Sequence, residues 1–423
     1  MAWFFEKTKE ITGKRLEELV TKAAEECLQR ICPSPKNVLL LPPDITRAHS
    51  GAGQITNRLY HFFAPTANVY VIPTLGQHIP HTPEQNRWMF GDIPEEKILK
   101  HNWKTDGKQL GRINAAYLRA ITDGKADWDI PIGINRIVLE EAWDIVINIG
   151  HVVPHEVLGF ANHNKNYFIG LGCKETICAS HIAAACYGIE KNLGNIVTPL
   201  RHCYNKAESE YLGALPDVYI QVTMRYNEEG ELVHSGFYCG NDLDTYLLAA
   251  QQSMQENITV TPPLKKVVAV MQGDEFFSTW VANKAIYRTR KAMADQGELI
   301  ILAPGLKRFG EQDEVEAIIR KYGYAGTPKV MELWRKNADL QDLTHATAHL
   351  IHGSSEGRFK ITYAPGHLSK EEIESVNFSY MDYTKAWETY RPDQRQNGFN
   401  TLDNGEEIYF IRTPSAGLWT RTK

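Results

Sequence analysis

Six short runs of aliphatic and β-branched residues punctuate the chain: Asn37–Leu41 (NVLLL), Asn68–Ile72 (NVYVI), Asp144–Ile149 (DIVINI), Lys266–Met271 (KVVAVM), Glu298–Leu302 (ELIIL) and Phe359–Tyr363 (FKITY). Most are apolar at nearly every position, not at alternate ones. That is the pattern of a strand covered on both faces, as in a parallel sheet. Between them the apolar period changes to that of a helix. Lys14–Arg30 places Leu16, Leu19, Val20 and Ala23 on one face, and Glu311–Tyr322 and Ser369–Ser375 read as further helices. Strands alternating with helices predict an α/β fold.

At 423 residues the chain exceeds the ~250–300 at which a single core stops growing, so two domains are expected. Composition changes at Asn257–Pro263 (NITVTPP), directly before a new strand. The reading is an N-terminal cofactor-binding and catalytic domain over 1–260 and a C-terminal α/β domain over 261–399. Residues 400–423, strand-like from Glu407 to Trp419, are expected to pack back on the first domain. Each domain would hold a mostly parallel sheet flanked by helices, with the active site in the cleft between them.

Composition narrows the function classes. Hydrophobic residues are 43%, charged residues 23% and the net charge is -5, without a long basic block. Nucleic-acid and membrane-surface roles are therefore disfavoured. The N-terminus lacks the apolar core of a signal peptide, and no run reaches the ~18 apolar residues that span a bilayer. Seven scattered cysteines, with no CxxC pair, fit reduced thiols in the cytoplasm.

Chemistry-bearing residues follow the first three strands. After NVLLL comes PPDITRAHSGAG, with Asp44, Thr46, Arg47 and His49; after NVYVI comes PTLGQHIPHT, with His78 and His81; after DIVINI comes GHVVPHEVLGFANHNKN, with His151, His155 and Lys165. Ligands of open α/β sheets bind beyond the carboxyl ends of the strands. Imidazoles suit metal ligation and proton transfer, and a guanidinium suits phosphate or carboxylate. The first loop is neither a Walker loop nor a dinucleotide fingerprint.

At these residues the chain resembles the lactate racemase family. The Asp-x-Thr-Arg loop is Asp44-Ile45-Thr46-Arg47, and the Gly-x-His turn is Gly76-Gln77-His78. Pro154-His155 is followed ten residues later by Lys165, and sixteen beyond that by His181 in ICASHIAA. The likeness continues more weakly to Gly273-Asp274 and Lys284. It implies a nickel-pincer nucleotide, a pyridinium mononucleotide with sulfur arms. Lys165 would carry it as a thioamide, His181 would ligate nickel, and Asp44, Ile45, Thr46 and Arg47 would hold the nucleotide. Two sulfurs and one imidazole suit square-planar Ni(II).

The implied activity is racemisation or epimerisation of a small 2-hydroxy acid. Its α-proton is too weakly acidic to remove directly; hydride transfer through a planar 2-keto acid avoids that step. The resemblance makes His101 and His155 the general bases and acids, and Arg47 and Lys284 the anchors of the substrate carboxylate. Enzymes that build the cofactor would be partners. Two features depart from the family pattern: Ala161-Asn162-His163-Asn164-Lys165 replaces a Ser-Gly-Gly-x-Lys approach, and Val281 stands where a glutamine is common. Both point away from lactate, toward a larger or sugar-derived hydroxy acid. Two other functions remain open. One is a zinc-dependent hydrolase or lyase built on His151, His155 and Asp44, although HEVLGFANH is not HExxH. The other is a non-catalytic binding protein on the same fold.

Overall fold

A computed structural model describes residues 2–273 and 276–422. Asp274, singled out in the sequence, lies outside the described residues. The chain divides into two compact units, Met1–Ala183 with Asn192–Asn257, and Ala184–Lys191 with Ile258–Lys423.

The first unit is built on a six-stranded sheet. Its strands are β1 (Phe4–Lys7), β2 (Asn37–Leu41), β3 (Asn68–Val71), β4 (Ile145–His151), β5 (Asp217–Tyr226) and β6 (Leu232–Gly240), in the order β1-β6-β5-β4-β2-β3. β3, β2, β4 and β5 run parallel, whereas β6 returns antiparallel to β5 and β1 antiparallel to β6. The three expected strands therefore lie side by side in the sheet, with β3 at its edge. The hairpin β5–β6 escaped the sequence reading because its alternation is broken by a register shift between His234 and Gly236. Helix Gly13–Arg30 begins at Thr12, whose side chain accepts from Arg15 N–H, the usual N-cap contact. It buries Leu16, Leu19, Val20, Ala23 and Cys27 in one core with Ile55, Leu59 and Phe63 of helix Ala52–Phe63 and with sheet residues such as Val38, Leu40 and Ile147.

The chain runs from β2 to β3 on one side and later enters β4 on the other side of β2. The carboxyl ends of β2 and β4 thus flank a topological switch point, where such sheets open a crevice. The loops bearing Asp44–Arg47 and His155–Lys165 start there.

The second unit holds β7 (Leu264–Val270), β8 (Met293–Ala303), β9 (Lys360–Pro365), β10 (Ser379–Tyr380), β11 (Gly398–Thr401) and β12 (Glu407–Ile411), ordered β10-β9-β8-β7-β12-β11. All its pairings are parallel except β11–β12. One expectation is corrected here. Residues 400–423 do not return to the first unit: β12 pairs with β7, and Leu418–Arg421 pairs with Ile258–Thr261. Ile408, Phe410, Ile411 and Leu418 are buried, so this segment completes the second unit's own core. Among the described residues no helix is long and apolar enough to cross a membrane.

Candidate active site

Asp44 is the N-cap of a short 3-10 turn, Ile45–Ser50, directly after β2. Its buried carboxylate accepts from Thr46 Oγ1 at 2.7 Å and faces His78 Nε2 at 3.9 Å. Ile45 N–H donates to His81 Nε2 at 2.8 Å, fastening this turn to the loop after β3. Arg47 lies half-buried in the same turn. Burial lowers its pKa, while Asp44 and Glu156 act to raise it.

The lysine loop is held from β4. Asn166 Nδ2 donates to Asn148 Oδ1 and to Asn162 Oδ1, each at 2.7 Å, and Asn148 Nδ2 donates to the His163 carbonyl at 3.3 Å. Gly150 is required where it stands: a Cβ there would meet Asn162 Oδ1 at 2.7 Å. Asn162 and His163 adopt left-handed φ of 66° and 60°. Glycine takes this conformation freely, asparagine tolerates it, and histidine adopts it at a cost. The residues that replace the expected glycines thus keep a backbone glycine would favour. Below them the buried Arg201 guanidinium donates to the Phe160 carbonyl at 2.7 Å, to the Asn162 carbonyl at 3.4 Å and to Asn164 Oδ1. The His163 ring stacks on Tyr219 with centroids 4.0 Å apart. Lys165 then starts a π-helical turn, Asn166–Gly170, an irregularity frequent at functional sites.

Burial brings the Lys165 amine down to about 7, Arg47 lowers it further, and Asp44 and Glu156 oppose the shift. At neutral pH much of it is an uncharged nucleophile. His181, half-buried on helix Lys174–Tyr187, has Nδ1 placed 2.7 Å from the Ile177 carbonyl. A carbonyl only accepts, so Nδ1 carries the hydrogen and Nε2 keeps its lone pair, the state of a ligating histidine. Burial lowers the His181 pKa to about 4, opposed by the Ile177 carbonyl and Glu156 and reinforced by Lys165. Asp44, Arg47, Glu156, Lys165 and His181 therefore share one electrostatic neighbourhood.

His155 is buried in a tight turn in which Pro154–His155 pairs with Gly159–Phe160. Gly159, at φ 79°, is packed so closely that a Cβ would lie 1.8 Å from the Asn195 carbonyl. His155 Nδ1 accepts from Val157 N–H at 3.2 Å, and Nε2 lies 3.8 Å from Glu156 Oε1. His101 is buried against a hairpin, Gly107–Ile113 with Ile130–Asn135, and its Nδ1 lies 3.0 Å from Asn135 Nδ2. Asn135 N–H donates to the Leu171 carbonyl at 2.7 Å, which joins that hairpin to the end of the π-helical turn. Burial brings the His101 pKa to about 4, opposed by Asp106. Lys284 lies in the second unit, at the start of helix Lys284–Thr289.

Two residues of this region were not singled out in the sequence, Glu156 and Arg201. Glu156 had a signal, the one carboxylate in the run Val152–Phe160, which is apolar apart from it and His155. Arg201 had none, since nothing in PLRHC distinguishes a buried arginine from a solvated one. Among the described residues no three or more His, Cys, Asp or Glu side chains gather as a metal site, which is what zinc chemistry would require. The donors present instead suit a cofactor that brings its own ligands and needs one amine and one imidazole.

Residues 6–192 match the family model of the lactate racemase N-terminal domain. No curated protein matches. A crystal structure of a Thermotoga maritima protein superposes with a TM-score of 0.84 at 24% identity, covering 99% of this chain and 100% of that one. The lactate racemase apoprotein from Thermoanaerobacterium thermosaccharolyticum superposes with a TM-score of 0.70 at 15% identity, covering 99% of this chain and 94% of that one. Both likenesses establish the fold, and the N-terminal part of the chain, residues 6–192, is similar to the lactate racemase N-terminal domain.

Proposed function

We propose that the protein racemises or epimerises a 2-hydroxy acid with a nickel-pincer nucleotide attached to Lys165 and ligated by His181. The observation that carries this reading is the pairing of two neutral donors: an amine brought to about 7 and an imidazole whose Nδ1–H is tied to a backbone carbonyl, within reach of each other's charge. When bound, the cofactor supplies a reversible acceptor for the hydride of the substrate's α-carbon.

The chain's own residues do the rest. Arg47, kept charged beside Asp44 and Glu156, binds the phosphate or the substrate carboxylate. Asp44, Ile45 and Thr46 fix the turn that aims it. His101 and His155 are the imidazoles assigned to the substrate's hydroxyl oxygen, and Lys284 is the candidate second carboxylate anchor. Asn162 and His163 stand in place of the family's glycines beside Lys165, and this departure supports a hydroxy acid larger than lactate, such as a sugar-derived acid, as substrate.

The test is co-expression with enzymes that make the cofactor, followed by intact-protein mass, nickel content and a chiral assay over a panel of 2-hydroxy acids. The expected result is a cofactor-sized adduct absent from Lys165→Ala, with interconversion of at least one substrate pair. Stoichiometric zinc without an adduct would overturn the reading, and preferred turnover of lactate would overturn its substrate class.

A further inference from the structure

Two carboxyl groups meet on one hydroxyl behind the lysine loop. Glu208, on helix Pro199–Tyr211, and Asp217, the first residue of β5, are both half-buried. The buried Tyr219 hydroxyl contacts Glu208 Oε1 and lies 3.1 Å from Asp217 Oδ2. A phenol has one hydrogen, and an ionised carboxylate only accepts. With both groups ionised, one would face lone pairs alone, with a like charge beside it. A second hydrogen on one of them removes the conflict. Glu208 is the one kept ionised, because its Oε2 also accepts from Asn164 Nδ2 at 2.9 Å. Asp217 is therefore the carboxyl: its O–H donates to the Tyr219 oxygen, and the Tyr219 O–H donates to Glu208. Burial raises the Asp217 pKa to about 7, the Glu208 charge adds to the shift, and the Tyr219 hydrogen bond opposes it.

Glu208 also holds the residue that precedes Lys165. The Asn164 amide donates to Glu208 Oε2 and, at 2.7 Å, to Asn205 Oδ1, and its Oδ1 accepts from Arg201. These partners all lie on helix Pro199–Tyr211, so Asn164 is where the lysine loop is clamped to that helix. Two other titratable groups face the pair. His163 Nδ1 lies 3.9 Å from Glu208 Oε2, and burial brings its pKa to about 4; Arg201 and Asp242 act on the same ring with opposite signs. Tyr167 stands edge-on to Tyr219 with centroids 6.4 Å apart, and burial, Asp217 and Glu208 together raise its pKa. Both are neutral at pH 7, so the charge that changes there is the pair's own.

We propose that Glu208 and Asp217 hold one proton between them through Tyr219, and that this proton keeps closed the clamp on Asn164 that positions Lys165. What the clamp serves rests on the reading of Lys165 as the point of cofactor attachment. With the proton in place, Glu208 takes the Tyr219 hydrogen and keeps Asn164. As pH rises through about 7 the proton leaves Asp217 for solvent. Two anions then compete for one hydroxyl and repel each other, and the hold of Glu208 on Asn164 weakens. The clamp is firm in weak acid and loosens in weak base. Glu208, Asp217 and Tyr219 are positioning residues, acting on Lys165 through Asn164.

The test reads the cofactor-free protein. Infrared difference spectra between pH 6 and pH 8.5 should show wild type losing one carboxyl C=O band. That band should be missing in Asp217→Asn and should titrate at lower pH in Glu208→Gln, which removes the neighbouring charge. A wild type that loses no such band overturns the proposal, whether or not the variants fold. Hydrogen exchange of residues 161–170, corrected for base-catalysed chemical exchange, reads the clamp itself. Over the same pH step wild-type protection should fall about tenfold, as linkage requires of a proton lost near pH 7, while Asp217→Asn, whose amide donates to Tyr219 at both pH values, should stay within about twofold. An equal fall in the two proteins overturns the positioning role. A protein that meets both expectations yet forms no adduct at Lys165 beside the cofactor-making enzymes supports this proposal and overturns the functional reading alone.

Discussion

Lys165 shows how the fold can give one residue an environment that its neighbours in sequence do not announce. In NHNKN it reads as a solvated loop charge; only its interval to His155 and His181 marks it. Burial brings its pKa from 10.5 to about 7, so between those values the unfolded chain binds a proton that the folded chain does not. Stability therefore rises with pH across that window, and the cost of the buried amine is complete below about pH 7. Replacing it by an apolar chain of similar length removes the cost. Lys165→Met is expected to stabilise the fold at pH 6 by on the order of 1–3 kcal/mol after allowing for partial exposure, seen as a higher melting temperature, and to change stability little at pH 10.5. Thermal unfolding of both proteins at the two pH values checks this; an equal shift at both would mean that packing, not charge, sets the difference. Glu156 is the opposite case. It was visible as the one carboxylate in Val152–Phe160, but its relation to His155, Arg47 and His181 depends on the turn at Gly159 and on loops from three strands.

At the scale of elements, β2 and β4 were legible because a strand covered on both faces must be apolar throughout, and the edge strand β3 because its run is rich in β-branched and aromatic residues. β2, β3 and β4 stand where NVLLL, NVYVI and DIVINI predict them. The lysine loop was not legible, because its geometry comes from partners far along the chain. Asn148 and Asn166 fasten it from above, and Arg201, on helix Pro199–Tyr211, fastens it from below. Arg201 also lies over the Tyr246 ring at 4.2 Å. Arg201→Met keeps most of the volume and the ring contact but leaves the Phe160 and Asn162 carbonyls without these donors. A destabilisation of about 2–4 kcal/mol is expected, since each buried acceptor left unsatisfied costs about 1–3 kcal/mol. Two non-glycine residues at positive φ then lose the contacts that hold them, so Lys165 should become ordinary in reactivity. Denaturant unfolding, with amine labelling at neutral pH followed by peptide mapping, checks both effects. Unchanged stability with unchanged labelling would show that the loop holds itself.

For the whole molecule, length and the change at Asn257–Pro263 were enough to expect two domains, but not where the last strands belong. A strand pattern states that an edge must be paired without naming the partner. In the structure Tyr409, Phe410 and Ile411 lie beside Val267, Val268 and Ala269 of β7, and Leu418–Arg421 lies beside Ile258–Thr261. The second unit thus begins and ends on neighbouring strands, so its fold depends on its final residues. Deleting residues 398–423 removes the buried side chains of Ile408, Phe410, Ile411 and Leu418 and leaves the β7 edge open. At ~1.5–3 kcal/mol for each buried side chain the loss approaches the whole stability of a domain. Limited proteolysis of the truncated chain should therefore degrade residues 258–397 at a protease dose that full-length protein survives, while a fragment ending near Asn257 persists longer. Had the C-terminal strands belonged to the first unit, the same truncation would spare residues 258–397 and expose the N-terminal region instead. Mass spectrometry of the surviving fragments decides between the two outcomes.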